Sequence, residues 1–260
     1  MIGSFALPSF PRTTCLQSVD VFVLAGGLGT RIRPVLGDVP KLLAPIRGRP
    51  YLSHLLDWLK HFGARRIVLG LGHRAEAVIE HLRDHPPADL DIDTVVEPQP
   101  LGTAGALRFA RPQLRSDPVL VLNGDSFADA DLCAFLTRYR TSGAQGAVLC
   151  AEVADAGRYG RVLLDERGMI NGFVEKDPAF RGTAIINAGL YLISAAFLDN
   201  IAASTAVSLE RDVFERLPAG ALTAFTGCAR FIDIGTPESL ALADQVFGAD
   251  NEPNARTRKS

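Results

Sequence analysis

Val21-Phe22-Val23-Leu24-Ala25-Gly26-Gly27-Leu28-Gly29-Thr30-Arg31-Ile32-Arg33-Pro34-Val35-Leu36-Gly37-Asp38-Val39-Pro40-Lys41 decides the fold. Its first five residues are apolar and glycines follow at once, the pattern of a short strand buried on both faces. Gly26, Gly27 and Gly29 permit positive φ and put no β-carbon in the way, so successive backbone N–H groups can close around an anion. Thr30, Arg31 and Arg33 add a hydroxyl and two permanent positive charges at the same place. That composition suits phosphate, although a plain glycine turn between strand and helix fits the glycines alone equally well. Two familiar phosphate loops are excluded. A Walker A loop needs Gly-Lys-Ser/Thr where Gly29-Thr30-Arg31 stands, and a dinucleotide fingerprint from Gly27 needs glycine where Ile32 stands.

Working outward, Tyr51, Leu52, Leu55, Leu56, Leu59 and Phe62 recur at helical spacing and Gly63 closes the helix. A strand over 66–70, a helix over 75–83, a strand over 91–97, a helix over 102–110 and a strand over 118–123 follow. This alternation predicts a parallel sheet covered by helices. Ligands collect at the carboxyl ends of such strands, so the loops at Gly26, Glu97 and Asp125 are expected on one rim. A helix over 131–139 and a strand over 147–153 complete the first pattern. Beyond them the character changes, to a hairpin (159–164 with 169–174), a strand over 184–193 and a short helix over 209–217. A second hairpin (221–225 with 230–234) and a last helix opened by Pro237 end the series.

The chain has 260 residues, enough for a full core, and reads as one large domain over 19–248. Its α/β half is 19–145 and its mixed half 146–248. Residues 1–18 read as an extension outside the core and 249–260 as a loose tail without apolar periodicity. A formal net charge of −2 gives no reason to expect nucleic acid or a membrane surface. No apolar run is long enough for a membrane helix. Cys15, Cys133, Cys150 and Cys228 lie far apart without a C-x-x-C pair, and read as reduced, mostly buried thiols of a cytoplasmic protein.

Two carboxylates stand out. Asp125 follows the apolar run 119–122 and could hold a hard cation, or cap the next turn. Asp233 lies inside the apolar stretch Phe231-Ile232-Asp233-Ile234, where an unpaired charge is costly, so it should meet a cation or a base such as Arg230. Glu175-Lys176, taken alone, reads as a solvated pair after a strand. His81 and His85 have metal-like spacing but no third ligand, and read as surface histidines. Gly72-His73-Arg74 fits either a substrate contact or a helix cap.

Gly-Gly-x-Gly-Thr-Arg followed by Pro40-Lys41 resembles the opening motif of the sugar-1-phosphate nucleotidylyltransferases. The likeness continues in order through L-G-T-A-G, G-D at Asp125, F-x-E-K, N-A-G-x-Y and D-I-G-T-P at Asp233, covering 21–247. It implies a Rossmann-like three-layer α/β/α fold with a mixed, mainly parallel central sheet. It also implies that Leu24, Ala25, Gly26, Gly27, Gly29, Thr30, Glu97, Gly102, Thr103, Asn123 and Gly124 bind the nucleoside triphosphate. Arg31, Lys41 and Asp125 become catalytic, and Asp125 with Asp233 binds Mg2+. Gly160, Glu175, Lys176 and Asn187 take the sugar phosphate.

The family places its nucleobase near Glu97. Guanine offers adjacent N1–H and N2 donors that a carboxylate accepts, which leans towards GTP, whereas a side-chain amide suits uracil or thymine better and Gln99 is within reach. A glutamate at a helix start is the bland alternative. V-P-K-x-L-A-P-I-x-G-x-P-Y-L followed by G-H-R-A-E looks most like the D-glycero-α-D-manno-heptose 1-phosphate guanylyltransferases, which supply GDP-heptose for surface polysaccharide. Mannose-1-phosphate guanylyltransferase is the near alternative, a uridylyl- or thymidylyltransferase a further one, and a non-catalytic nucleotide-sugar sensor the alternative of another class. The resemblance leaves room for a homo-oligomer.

Overall fold

The computed structural model describes residues 10–247. The chain runs β1 (Val21–Ala25), α1 (Arg33–Leu36), a small pair β2 (Pro45–Ile46) and β3 (Arg49–Pro50), α2 (Tyr51–His61), β4 (Arg66–Leu71), α3 (Ala75–Asp84) and β5 (Asp91–Val96). It continues through α4 (Gly102–Ala110), β6 (Val119–Asn123), β7 (Ser126–Ala130), α5 (Leu132–Ser142), β8 (Gly146–Val153), β9 (Arg161–Leu164) and β10 (Ile170–Val174). It ends with β11 (Ala184–Ile193), α6 (Ala195–Ala203), β12 (Leu222–Phe225), β13 (Cys228–Asp233) and α7 (Pro237–Val246).

The apolar runs dictate the sheet. β6, β1, β4 and β5 lie side by side and parallel, and β11 joins β6 antiparallel. β8 pairs antiparallel with β11 and parallel with β12, while the β9–β10 hairpin meets β11 at Ile186. Alternate residues serve opposite faces, as the period of two requires. Val21 and Val23 of β1 point into one core with α2, α5 and α7, and Phe22 points into the other with α4 and α6. This is the expected mixed α/β sheet between helical layers. In such a sheet β1 and β6 end together at one rim.

Several expectations need correction. Residues 1–9 lie outside the described residues, but the remainder of the supposed extension is anchored to the core through Leu16, although much of it is exposed. Leu16 and Val19 are buried, and Thr13 and Leu16 donate their backbone N–H groups to His61 and Phe62 carbonyls. Cys15 and Cys133 form a disulfide that ties this segment to α5, so Cys150 and Cys228 alone remain free thiols. The supposed hairpin of 221–225 and 230–234 does not form. β12 runs beside β8, whereas β13 pairs with β7, a strand whose Ser126-Phe127-Ala128-Asp129-Ala130 composition gave no clear alternation. Helix α6 lies where no helix was expected, and 209–216 is a π turn followed by a 3-10 turn rather than a regular helix. The tail 249–260 lies outside the described residues. None of the described helices is long and apolar enough to cross a membrane.

Candidate active site

The ends of β1, β4 and β6 and the starts of α3 and α4 surround a cavity of about 370 Å³. It is lined by Leu24, Ala25, Gly26, Gly27, Gly29, Lys41, Glu97, Gly102, Thr103, Asn123, Gly124 and Asp125, twelve of the sequence-selected residues. The glycines serve it in different ways. Gly29 alone of the three loop glycines takes a positive φ, 61°, which corrects the expectation for Gly26 and Gly27. Gly26 is needed for closeness instead, since a β-carbon there would stand 2.5 Å from Glu97 Oε1. Thr30 and Arg31 are exposed and lie outside this lining.

Glu97 stands at the turn into α4 and lines the cavity. Its Oε2 accepts the Leu101 N–H at 3.0 Å, which fixes the turn into α4, while Oε1 lies against Gly26. Burial raises its pKa, and the Leu101 bond only partly opposes this.

The β7–β13 ladder brings the distant aspartates together. Asp233 stands opposite Ser126, the neighbour of Asp125, and the Ile234 N–H donates to the Asp125 main-chain carbonyl at 2.8 Å. Asp125 Oδ2 also accepts Lys41 Nζ at 2.7 Å. The pKa of Asp233 is raised by burial and then by the charge of Asp125, while its bond from Gly235 N–H and the charges of Lys41 and Arg31 act the other way. Arg31 therefore acts on this corner although it does not line the cavity. Arg230, the alternative partner for Asp233, instead clasps buried Asp129 through two nitrogens, at 2.7 and 3.0 Å.

The sugar-phosphate candidates lie apart from that lining. Glu175 and Lys176 are exposed just beyond β10, and Gly160 precedes β9. Asn187 sits where β11 slips register, between Asn187 and Leu190. Gly189 makes that bulge with φ of 77°, and its missing β-carbon would meet Asn123 Nδ2 at 2.5 Å. The bulge thus lays Gly189 against Asn123 at the end of β6. The Asn187 amide bonds to the Gly189 N–H and to the Tyr191 hydroxyl.

The sequence reading missed other members of the site. Glu210 accepts hydrogen bonds from Thr103 and Tyr191, joining the two halves. Asp38 bridges Arg33 and Arg74 at 3.3 and 2.7 Å across the cavity mouth. Arg74 is the N-cap residue of α3, with φ of 62° and no side-chain cap bond, and it lines the cavity with Gly72 and His73. His81 and His85 stack on each other, and no cluster of three metal-ligating side chains occurs among the described residues.

A glycine loop after the first strand of a parallel sheet, with two carboxylates and a lysine at its rim, defines an α/β protein that handles phosphate esters. The family model described as nucleotidyl transferase matches residues 21–247, and the chain belongs to that family. It is 34% identical over 247 residues to mannose-1-phosphate guanylyltransferase of Mycobacterium tuberculosis, covering 92% of this chain and 68% of that one. It is 30% identical over 220 residues to D-glycero-alpha-D-manno-heptose 1-phosphate guanylyltransferase of Campylobacter jejuni, covering 85% of this chain and 96% of that one. The crystal structure of HddC from Yersinia pseudotuberculosis complexed with GMP-PN superposes with TM-score 0.78 at 34% identity, covering 88% and 99% of the two chains. The Mycobacterium and Campylobacter relatives are thus sugar-1-phosphate guanylyltransferases. This chain spans nearly all of the heptose-type relative but about two thirds of the mannose-type one.

Proposed function

We propose that this chain transfers a guanylyl group from GTP to a sugar 1-phosphate, of the D-glycero-α-D-manno-heptose type, giving the GDP-sugar and pyrophosphate. The observation that carries this reading is the meeting of Asp125, Asp233 and Lys41 beside the glycine-loop cavity. Support for guanine comes from Glu97, which lines the cavity and keeps Oε1 beside Gly26, and from the GMP-PN complex of the Yersinia relative. Support for the heptose comes from the near-complete length match to the Campylobacter enzyme. Mannose 1-phosphate is the second reading, supported by the Mycobacterium relative.

In the reaction a sugar phosphate oxygen attacks the α-phosphorus of GTP. The new oxygen–phosphorus bond forms as the bond to the β-phosphate oxygen breaks, and pyrophosphate leaves. The attacking group is already an anion, so no protein nucleophile is required, and alignment with charge neutralisation carries the catalysis. Arg31 neutralises the β- and γ-phosphates, Lys41 the reacting phosphates and Lys176 the sugar phosphate. Glu175, Asn187 and the backbone at Gly160 hold the sugar.

The donor set fits magnesium. Two neighbouring carboxylates, one of them with its pKa raised by burial and then by the charge of the other, call for a hard cation, and Mg2+ is ordinarily held by one or two carboxylates plus substrate phosphates. When bound, magnesium supplies divalent charge against the phosphate oxygens. The proposed setting is cytoplasmic synthesis of a surface-polysaccharide precursor, with no nucleic-acid or membrane partner.

The test is pyrophosphate release over a matrix of nucleoside triphosphates and sugar 1-phosphates. Turnover is expected with GTP and the heptose 1-phosphate; turnover confined to UTP or dTTP would replace the guanylyl reading, and tight GTP binding without turnover would point to a nucleotide-sugar sensor.

A further inference from the structure

Glu210 stands where the two halves of the chain meet, on the irregular turn 209–213. Its Oε1 accepts the Tyr191 hydroxyl at 3.0 Å, and its Oε2 accepts Thr103 Oγ1 and Ser208 Oγ, each at 3.1 Å. An ionised carboxylate only accepts, so all three hydroxyl protons must point at it. The bonds beyond are then fixed in direction. The Tyr191 oxygen accepts Asn187 Nδ2 at 3.0 Å, and Thr103 Oγ1 accepts the Leu209 N–H at 2.7 Å.

Asn187 is held from its other end as well, because its Oδ1 accepts the Gly189 N–H at 2.8 Å. Its amide cannot turn over without facing N–H against N–H at Gly189. One amide hydrogen is spent on Tyr191, and the second is left as a donor. Tyr191 is fully buried. Burial, and then the charge of Glu210, push its phenol pKa well above the ordinary value, so it remains a neutral relay.

We propose that Glu210 is a positioning residue that sets the Asn187 amide as a hydrogen-bond donor to a sugar hydroxyl and ties that setting to Thr103 at the start of α4. The inference rests on the reading of Asn187 as a sugar-phosphate ligand. The apparatus locks one face of the sugar site to the helix that borders the nucleotide cavity. Ala104 strengthens the join by donating its N–H to the Val207 carbonyl at 2.9 Å, next to the turn that carries Glu210.

Glu210→Gln separates the two sides. Its carbonyl can still accept from Thr103 and Ser208, but its amide nitrogen then faces Tyr191 as a donor. The Tyr191 proton must turn towards Asn187, where it meets another donor. The expected result is a KM for the sugar 1-phosphate raised about tenfold, the effect of one misdirected hydrogen bond, with the KM for GTP changed less than about twofold. In the substrate-free protein the side-chain amide NMR signals of Asn187, assigned by their loss in Asn187→Ala, are expected to shift. Because the effect passes through Tyr191, adding Glu210→Gln to Tyr191→Phe is expected to change the sugar KM less than about twofold. An unmoved Asn187 signal, equal rises in both KM values, or additive effects in the double variant would each overturn the proposal. Wild-type turnover is measured first and tests the functional reading alone, while the amide signal tests the positioning role whether or not turnover occurs.

Discussion

Lys41 Nζ lies 2.7 Å from Asp125 Oδ2, with both side chains largely withdrawn from solvent. The lysine neutralises the carboxylate that the β7–β13 ladder sets beside Asp233, whose own pKa it also lowers. Without it, two acidic groups share a partly buried corner, relieved by the Gly235 N–H and the charge of Arg31.

Lys41→Met is therefore expected to act twice. Turnover should fall by at least about a hundredfold, the usual effect of removing one preorganised charge from a transition state. The metal-free protein should also melt earlier at pH 7, and magnesium should restore part of the loss. Calorimetry with and without magnesium, alongside pyrophosphate release, checks both effects; a variant with unchanged turnover would remove Lys41 from the chemistry.

Asp233→Asn should separate stability from function. The folded-state pKa of Asp233 is raised, so its ionised form carries a cost that is absent at low pH and grows as pH rises through the folded value. Asparagine removes that cost and can still accept the Gly235 N–H. The metal-free variant is expected to match the wild type near pH 3 and to melt about 2–4 °C higher at pH 7 for each kcal/mol relieved. Turnover should be lost, and with it the stabilisation by added magnesium. A variant less stable than wild type at neutral pH would show that the two carboxylates do not repel.

Glu97 gives a prediction in pH. Burial raises its pKa, so it loses its charge on acidification at higher pH than an ordinary glutamate, and the guanine acceptor is lost with it. GTP affinity is expected to decline as pH falls through that raised value, while Glu97→Gln should bind GTP about tenfold more weakly at pH 7 and show a flatter profile. Titration calorimetry across pH checks this; parallel profiles for the two proteins would assign the pH dependence to the nucleotide.

The parts legible in the sequence were those that one short segment decides. The apolar runs at 21–25, 66–70 and 119–122 named the parallel strands, and the glycines after β1 named the cavity. Asp125 and Asp233 were legible as a pair through their motifs, although the ladder joining them was not, because β7 carries Ser126 and Asp129 among its apolar residues and breaks the alternation. Glu210 was invisible for another reason. Its value lies in Thr103 and Tyr191, which reach it from other parts of the chain, and nothing adjacent in Ser208-Leu209-Glu210-Arg211 announces them. The two distant cysteines likewise gave no spacing signal, since folding alone brings Cys15 to α5.

That disulfide carries the last prediction. It joins residues 118 apart and closes a loop that contains β1, the glycine turn and Asp125, the proposed magnesium ligand, yet neither cysteine lines the cavity. Its expected effect is therefore on the unfolded chain, with about 2–4 kcal/mol of stability gained from the restricted loop. Disulfides are rare in reducing compartments, so the reduced protein is the form relevant to the proposed cytoplasmic setting. Reduction, or Cys15→Ser, is expected to lower the melting temperature by roughly 5–15 °C. The kcat/KM for both substrates should be preserved at 25 °C, because Leu16 and Val19 still hold the segment in the core. Thermal melts with and without reductant, paired with steady-state kinetics, decide the matter. A melting temperature indifferent to reductant would mean that the thiols stay unjoined in solution, and lost activity in a folded Cys15→Ser protein would mean that the N-terminal segment reaches the active site through α5.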